Sequence, residues 1–224
     1  MNISFTAQPV YENLYVKKLT PDGDYKPAPA TFVEIDPKDS EDKETFDNLD
    51  PKWNSTTFFT SIKTHFFNNA EKNNFYALAV DGDEPLEKRI LCLAMVKDEK
   101  DHLHLRYLQG HPDIIYDNRK YKKSKTEVLG AGNLTTYGVV KQAVDMEKPS
   151  GIKVPAANDE YFKKIGMKID KTPTSPTQSF WELMTGATLF KMTGLATPTR
   201  SFTPKEAAKF LEETEEKYKI DKTV

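Results

Sequence analysis

The sequence is short of several things, and each shortage removes a class of function. It has one cysteine, Cys92, among 224 residues, so no internal disulfide can form. That thiol sits in the apolar β-like run "RILCLAMV" and reads as a small core residue rather than a nucleophile. No stretch approaches the length of a membrane span, and the opening "MNISFTAQPVYENLYVKKL" lacks a basic region followed by a long apolar run. A cytoplasmic protein with no membrane partner is expected. Net charge is nearly absent as well: 32 basic residues stand against 34 acidic ones, giving −2 and a pI of about 6.1. Such a balance provides no global attraction for nucleic acid or an anionic surface, so any polyanion site must be local. No nucleophile elbow, zinc-ligand spacing or complete Walker motif occurs, and no repeat or low-complexity tract interrupts the chain.

What is present reads as one generous domain with appendages. Residues 1–53 hold Pro9, Pro21, Pro27, Pro29, Pro37 and Pro51 and the acidic tract "DPKDSEDKETFDNLD". Apart from short strands at "NLYVKKL" and "TFVEI", they are expected to form an irregular arm packed on the domain. Residues 54–190 carry the domain itself. In "NSTTFFTSIKTHFFNNAEKN", Phe58, Ile62, Phe66 and Ala70 fall on one helical face, with Asn54 or Ser55 as N-cap. Three β-like runs follow, "NFYALAVD", "RILCLAMVKDE" and "HLHLRYLQ", with turn-rich connections that suggest an antiparallel meander. Next come a helix over about 133–147 with Leu134, Tyr137, Val140 and Val144 in a stripe, a strand at "GIKVPAA", and a short helix "NDEYFKKIG" stopped by Gly166. The order strand–helix–strand implies a parallel crossover. "SFWELMTGATLFKM" is expected to be strand or mixed structure. The extension 191–224 contains a helix announced by Thr203 as N-cap, Pro204 at N1 and Glu206 at N3.

The chemistry centres on "EVLGAGNL". Leu129, Gly130, Ala131, Gly132 and Asn133 form a glycine-rich junction between a short strand and a helix. There, bare main-chain N–H groups can meet an anion, although a tight turn needing positive φ and nothing more is the commoner reason for an isolated Gly-x-Gly. Taken with the preceding meander and with "GIKVPAANDEYFKKIGM", the junction resembles the GNAT N-acetyltransferase superfamily. That family's pattern is R/Q-x-x-G-x-G/A at a strand–helix junction, then a strand and an N…Y-x-K-x-G-F-like segment. The resemblance covers residues 75–170. It implies an α+β (mixed α/β) fold: a twisted mixed sheet with an antiparallel meander followed by a βαβ unit, and helices on both faces. It further implies acetyl-coenzyme A as acyl donor, with its pyrophosphate on the amides of residues 129–133 and Asn158 beside the pantetheine arm. Asn158 can also cap the helix starting at Asp159. The basic residues Arg119, Lys120, Lys122, Lys123 and Lys125 either add charge near the phosphates or form a solvated loop.

Two positions depart from the pattern. Glu127 occupies the family's Arg or Gln position, and Phe162 occupies its tyrosine position, with Tyr161 one step earlier. A tyrosine here would protonate the leaving thiolate, so Tyr161 is the candidate acid if the register shifts. Of His102, His104 and His111, which lie on or near the predicted central strand, His104 is the candidate base for the attacking amine. His102 and His104 share a strand face, but no third ligand at a diagnostic spacing appears, so no metal is expected. The leading expectation is an acyl-coenzyme A-dependent N-acyltransferase acting on an unidentified amine, as a monomer or a homo-oligomer. The rivals are a catalytically silent interaction module on the same scaffold and nucleic-acid binding through "RKYKKSKTE", which the acidic balance disfavours.

Overall fold

The computed structural model describes residues 7–56, 58–68, 70–115, 127–148, 152–155, 159–169 and 199–220. Its strands are β1 (Gln8–Leu19), β2 (Tyr25–Ile35), β3 (Asn74–Val80), β4 (Ile90–Asp98), β5 (Leu103–Gly110), β6 (Val128–Leu129), β7 (Ile152–Pro155), β8 (Lys168–Ile169) and β9 (Thr199–Ser201). They form one sheet in the order β6-β1-β2-β3-β4-β5-β7-β9-β8. From β1 to β5 every neighbouring pair is antiparallel. The β5–β7 pair is parallel, as the strand–helix–strand order requires. This is the meander followed by a βαβ unit that the GNAT resemblance implies, and the expected mixed α+β architecture is observed.

Among the described residues, five helices of six residues or more cover the sheet: α1 (Ser40–Asp47), α2 (Phe59–Asn68), α3 (Ala131–Asp145), α4 (Asp159–Lys164) and α5 (Pro204–Tyr218). Strand alternation sends successive side chains to opposite faces, and two cores result. Ala30, Phe32, Tyr76, Leu78, Cys92 and Ala94 pack beneath α3, α4 and α5. Val33, Ile35, Phe75, Ala77, Leu93 and Met95 pack beneath α1 and α2. Helices therefore lie on both faces. On the second face Phe46 stacks on Phe66, with ring centroids 4.1 Å apart. Such pairs add roughly 0.5–1.5 kcal/mol beyond the area they bury. Cys92 is wholly buried, and burial pushes its thiol up to about 12, which fits a core residue.

The structure corrects the reading of the first 53 residues. The segment is no irregular arm; β1 and β2 make a long hairpin whose second strand pairs with β3. Prolines disguise these strands in the sequence because they cannot donate to a ladder. Yet Pro27 and Pro29 precede Ala30, where the register with β3 begins, and Pro29 still accepts at its carbonyl from the Asp81 amide at 3.0 Å, so the missing donors fall at the end of that ladder. The cap of the first long helix also differs. Residues Pro51–Ser55 form a 3-10 turn capped by Asp50, whose side chain accepts from the Lys52 amide at 2.8 Å. Helix α2 begins only at Phe59 and buries Phe59, Ile62 and Phe66, so neither Asn54 nor Ser55 is its N-cap. The expected capping box of α5 is complete, Thr203 and Glu206 each accepting from the other's backbone. The segment "SFWELMTGATLFKM" lies outside the described residues.

Candidate functional site

Helix α3 begins at the glycine turn itself, two residues before the predicted start. Gly130 is its N-cap at φ 98°, and no side chain caps it. The first closing bond runs from the Leu134 amide to the Gly130 carbonyl at 2.9 Å. The preceding amides, those of Ala131, Gly132 and Asn133, have no partner within the helix and carry its positive dipole end. Leu129, on the two-residue strand β6, pairs with Lys17, and Val128 with Lys18. Two exposed lysines from β1 thus flank the strand entering the turn. Sequence reasoning missed them, since more than a hundred positions separate them from Gly130.

The two glycines of the turn face different surroundings. A Cβ on Gly130 would come within 2.6 Å of Tyr218 Cε1 and 2.9 Å of its hydroxyl. Tyr218, in the last turn of α5, also hydrogen-bonds the Asn133 side chain, while burial raises its pKa. At Gly132 the nearest group to such a Cβ is the Tyr161 hydroxyl, 3.9 Å away. One glycine is covered by the C-terminal helix; the other is open toward α4.

Helix α4 turns Phe162 into the core, where it is 4 % exposed, and Tyr161 toward α3. The Tyr161 hydroxyl lies 3.0 Å from Thr136 Oγ1, and burial raises its pKa above the ordinary tyrosine value. It is therefore a neutral phenol at pH 7 with a proton to give. Of the two aromatic residues in this segment, Tyr161 is the one brought to the glycine turn. Asn158 and the basic residues Arg119 to Lys125 lie outside the described residues.

Among the described residues, strands β5 and β7 pair only at Leu103–Ile152 and His104–Lys153, although β5 continues to Gly110. Beyond His104 the described residues of the two strands share no ladder pair, which leaves a gap in the ladder. A bulge in β5 lies at the same place, for Val96 pairs with Leu105 and Met95 with Tyr107. It leaves Arg106 extra and adds local twist. His104 sits at the apex of the gap, partly buried. Burial, aided by Arg106 and His102, lowers its pKa to about 4, so it is neutral at pH 7 but a weak proton acceptor. His102 bonds Asp101 at 2.7 Å. His111 accepts at Nδ1 from the Asp113 amide at 3.2 Å, which places the proton of its neutral ring on Nε2. Glu127 is exposed, and its backbone carbonyl accepts from the Leu19 amide at 2.8 Å. The bond to Asp113 raises the pKa of Lys52, and burial lowers that of His111.

No family model matches the chain, and no curated protein matches it by sequence. Among solved structures it is similar to the PaiA N-acetyltransferase from Thermoplasma acidophilum, solved with coenzyme A, at 10% identity and a TM-score of 0.45, covering 78% of this chain and 98% of that one. It is also similar to the ribosomal-protein-S18-alanine N-acetyltransferase of Escherichia coli, at 11% identity and a TM-score of 0.42, covering 77% and 90%. At such identity the likeness says nothing of any residue's role.

Proposed function

We propose that this protein is an acyl-coenzyme A-dependent N-acyltransferase, with acetyl-coenzyme A as donor and an amine as acceptor. The observation that carries the reading is the start of α3, which no side chain caps: three amides without a partner inside the helix, a glycine with room beside it, and a neutral phenol facing that room. A diphosphate fits such a group of donors because it supplies the acceptors and the charge that a capping side chain would otherwise provide. The gap between β5 and β7 supports the same reading. The β5 edge beyond His104 has no strand partner among the described residues, and a ligand with peptide-like amides can pair there as a strand would.

In this scheme the amides of Ala131, Gly132 and Asn133 hold the diphosphate, and Lys17 and Lys18 add charge on the approach. Asn158 belongs beside the pantetheine arm, as the family resemblance implies. The bound coenzyme supplies an activated thioester. Tyr161 gives a proton to the departing sulfur, and His104, uncharged at the apex of the gap, accepts a hydrogen bond from the attacking amine. Its low basicity leaves solvent as the final destination of that proton.

The test is titration of acetyl-coenzyme A into the protein, followed by turnover assays with small amines, peptide N-termini and lysine peptides. Binding together with release of free thiol in the presence of one of these amines is expected. Absence of binding would favour the rival reading, a silent interaction module, for which Tyr218 on Gly130 and the buried Phe162 are purely structural contacts.

A further inference from the structure

Two threonines stand side by side in α3, and only one of them reaches the site. Thr135 and Thr136 are both fully buried. Each donates its hydroxyl proton to the carbonyl four residues earlier, Thr135 to Ala131 at 2.9 Å and Thr136 to Gly132 at 2.9 Å. Such back-bonding is ordinary for a helical threonine. The difference lies in the second partner. Thr135 faces the Cys92 thiol, whereas Thr136 Oγ1 lies 3.0 Å from the Tyr161 hydroxyl. A threonine hydroxyl carries one proton and two lone pairs. With its proton on the Gly132 carbonyl, Thr136 offers a lone pair to Tyr161, and the phenol is the donor of that bond.

We propose that Thr136 is a positioning residue for Tyr161, holding the neutral phenol beside Gly132 and turning its own proton onto the phenolate once Tyr161 has protonated the leaving sulfur. The inference rests on the acyltransferase reading above. In the step itself the amine nitrogen forms a bond to the thioester carbon, and the carbon–sulfur bond breaks with its electron pair on sulfur. The phenolic proton of Tyr161 turns from Thr136 Oγ1 to that sulfur, passes to it and gives the free thiol. The phenolate left behind receives the Thr136 hydroxyl, which swings from Gly132. The proton lost by the acylated nitrogen returns through water to restore the phenol. A fully buried hydroxyl able to act first as acceptor and then as donor suits this sequence, because a buried phenolate without a donor is strongly disfavoured. A valine would fill the same space and could do neither.

The test uses isosteric changes, which keep the buried shape. Thr136→Val is expected to lower kcat by about 10- to 100-fold, the worth of one hydrogen bond to a charged group, with KM for acetyl-coenzyme A unchanged. Thr136→Ser should restore most of the loss. Thr135→Val, which removes the same kind of back-bond without touching Tyr161, should leave kcat within about twofold of wild type. Tyr161→Phe should lose about as much as Thr136→Val or more. The proposal is overturned if Thr136→Val turns over at the wild-type rate while Tyr161→Phe is slow, or if the two valine variants lose activity equally. A wild-type protein that binds acetyl-coenzyme A but acylates no amine would overturn the acyltransferase reading, and this inference with it.

Discussion

Gly130 and Gly132 stand two residues apart in one turn, yet their surroundings assign them different work. Gly130 lies at φ 98° with the Tyr218 ring where a Cβ would stand, so the fold itself demands a residue without a side chain there. Gly132 has ordinary helical backbone and nothing closer than a phenol at 3.9 Å. Its bareness supports no packing, and a glycine inside a helix costs about 0.5–1 kcal/mol relative to alanine. The lesson is that a Gly-x-Gly signature is not one feature. Its first member secures the C-terminal helix on the turn, and its second leaves the amides approachable.

The sharpest way to break this division is to add a methyl group at Gly130. Gly130→Ala places a Cβ in the left-handed region and against Tyr218, and a loss of roughly 2–5 kcal/mol in urea unfolding is expected from backbone strain plus overpacking. Combining it with Tyr218→Ala should remove the overpacking part and leave the strain, so the two changes are non-additive. A Gly130→Ala variant as stable as wild type would end the structural assignment of that glycine.

His104 extends the comparison to the sheet, where burial rather than openness sets a group's behaviour. Its folded pKa of about 4 lies below the ordinary 6.5. The unfolded chain therefore binds more protons than the folded one between those two values, and stability falls as pH drops through that window. The effect is on the order of 1–3 kcal/mol. Urea midpoints measured from pH 7 to pH 4 should show this decline, and His104→Gln should flatten it. An unchanged decline in the variant would place the titrating groups elsewhere.

The smallest effect is expected from Tyr218→Phe, which keeps the ring on Gly130 and removes only the hydroxyl bonded to Asn133. A loss of about 0.5–1.5 kcal/mol is expected in thermal unfolding. A much larger loss would mean that the hydroxyl, not the ring, secures α5 to the turn.

What the sequence revealed follows the range of the interactions. The runs "NFYALAVD" and "RILCLAMVKDE" became β3 and β4 because a centrally buried strand needs only a local apolar stretch. The capping box at Thr203 was legible because its partners are three residues apart. The N-terminal hairpin was hidden by Pro27 and Pro29, whose tolerance depends on where pairing with β3 begins, a tertiary fact. Contacts between Gly130 and Tyr218, or between Leu129 and Lys17, join segments remote in the chain, and no local pattern announces them. The Tyr161–Phe162 ambiguity had the same origin, since only the packing of α4 against α3 decides which ring turns inward.

The central claim is that the open side of the turn receives the coenzyme's diphosphate. It is tested most directly by calorimetric titration of acetyl-coenzyme A into wild type and Gly132→Val, with the melting temperature of each recorded alongside. The account predicts binding by wild type, at least about a 100-fold weaker affinity in the variant because the close approach is lost, and a stability change within about 1 kcal/mol. Equal affinities in the two proteins, or no heat of binding from wild type, would contradict it.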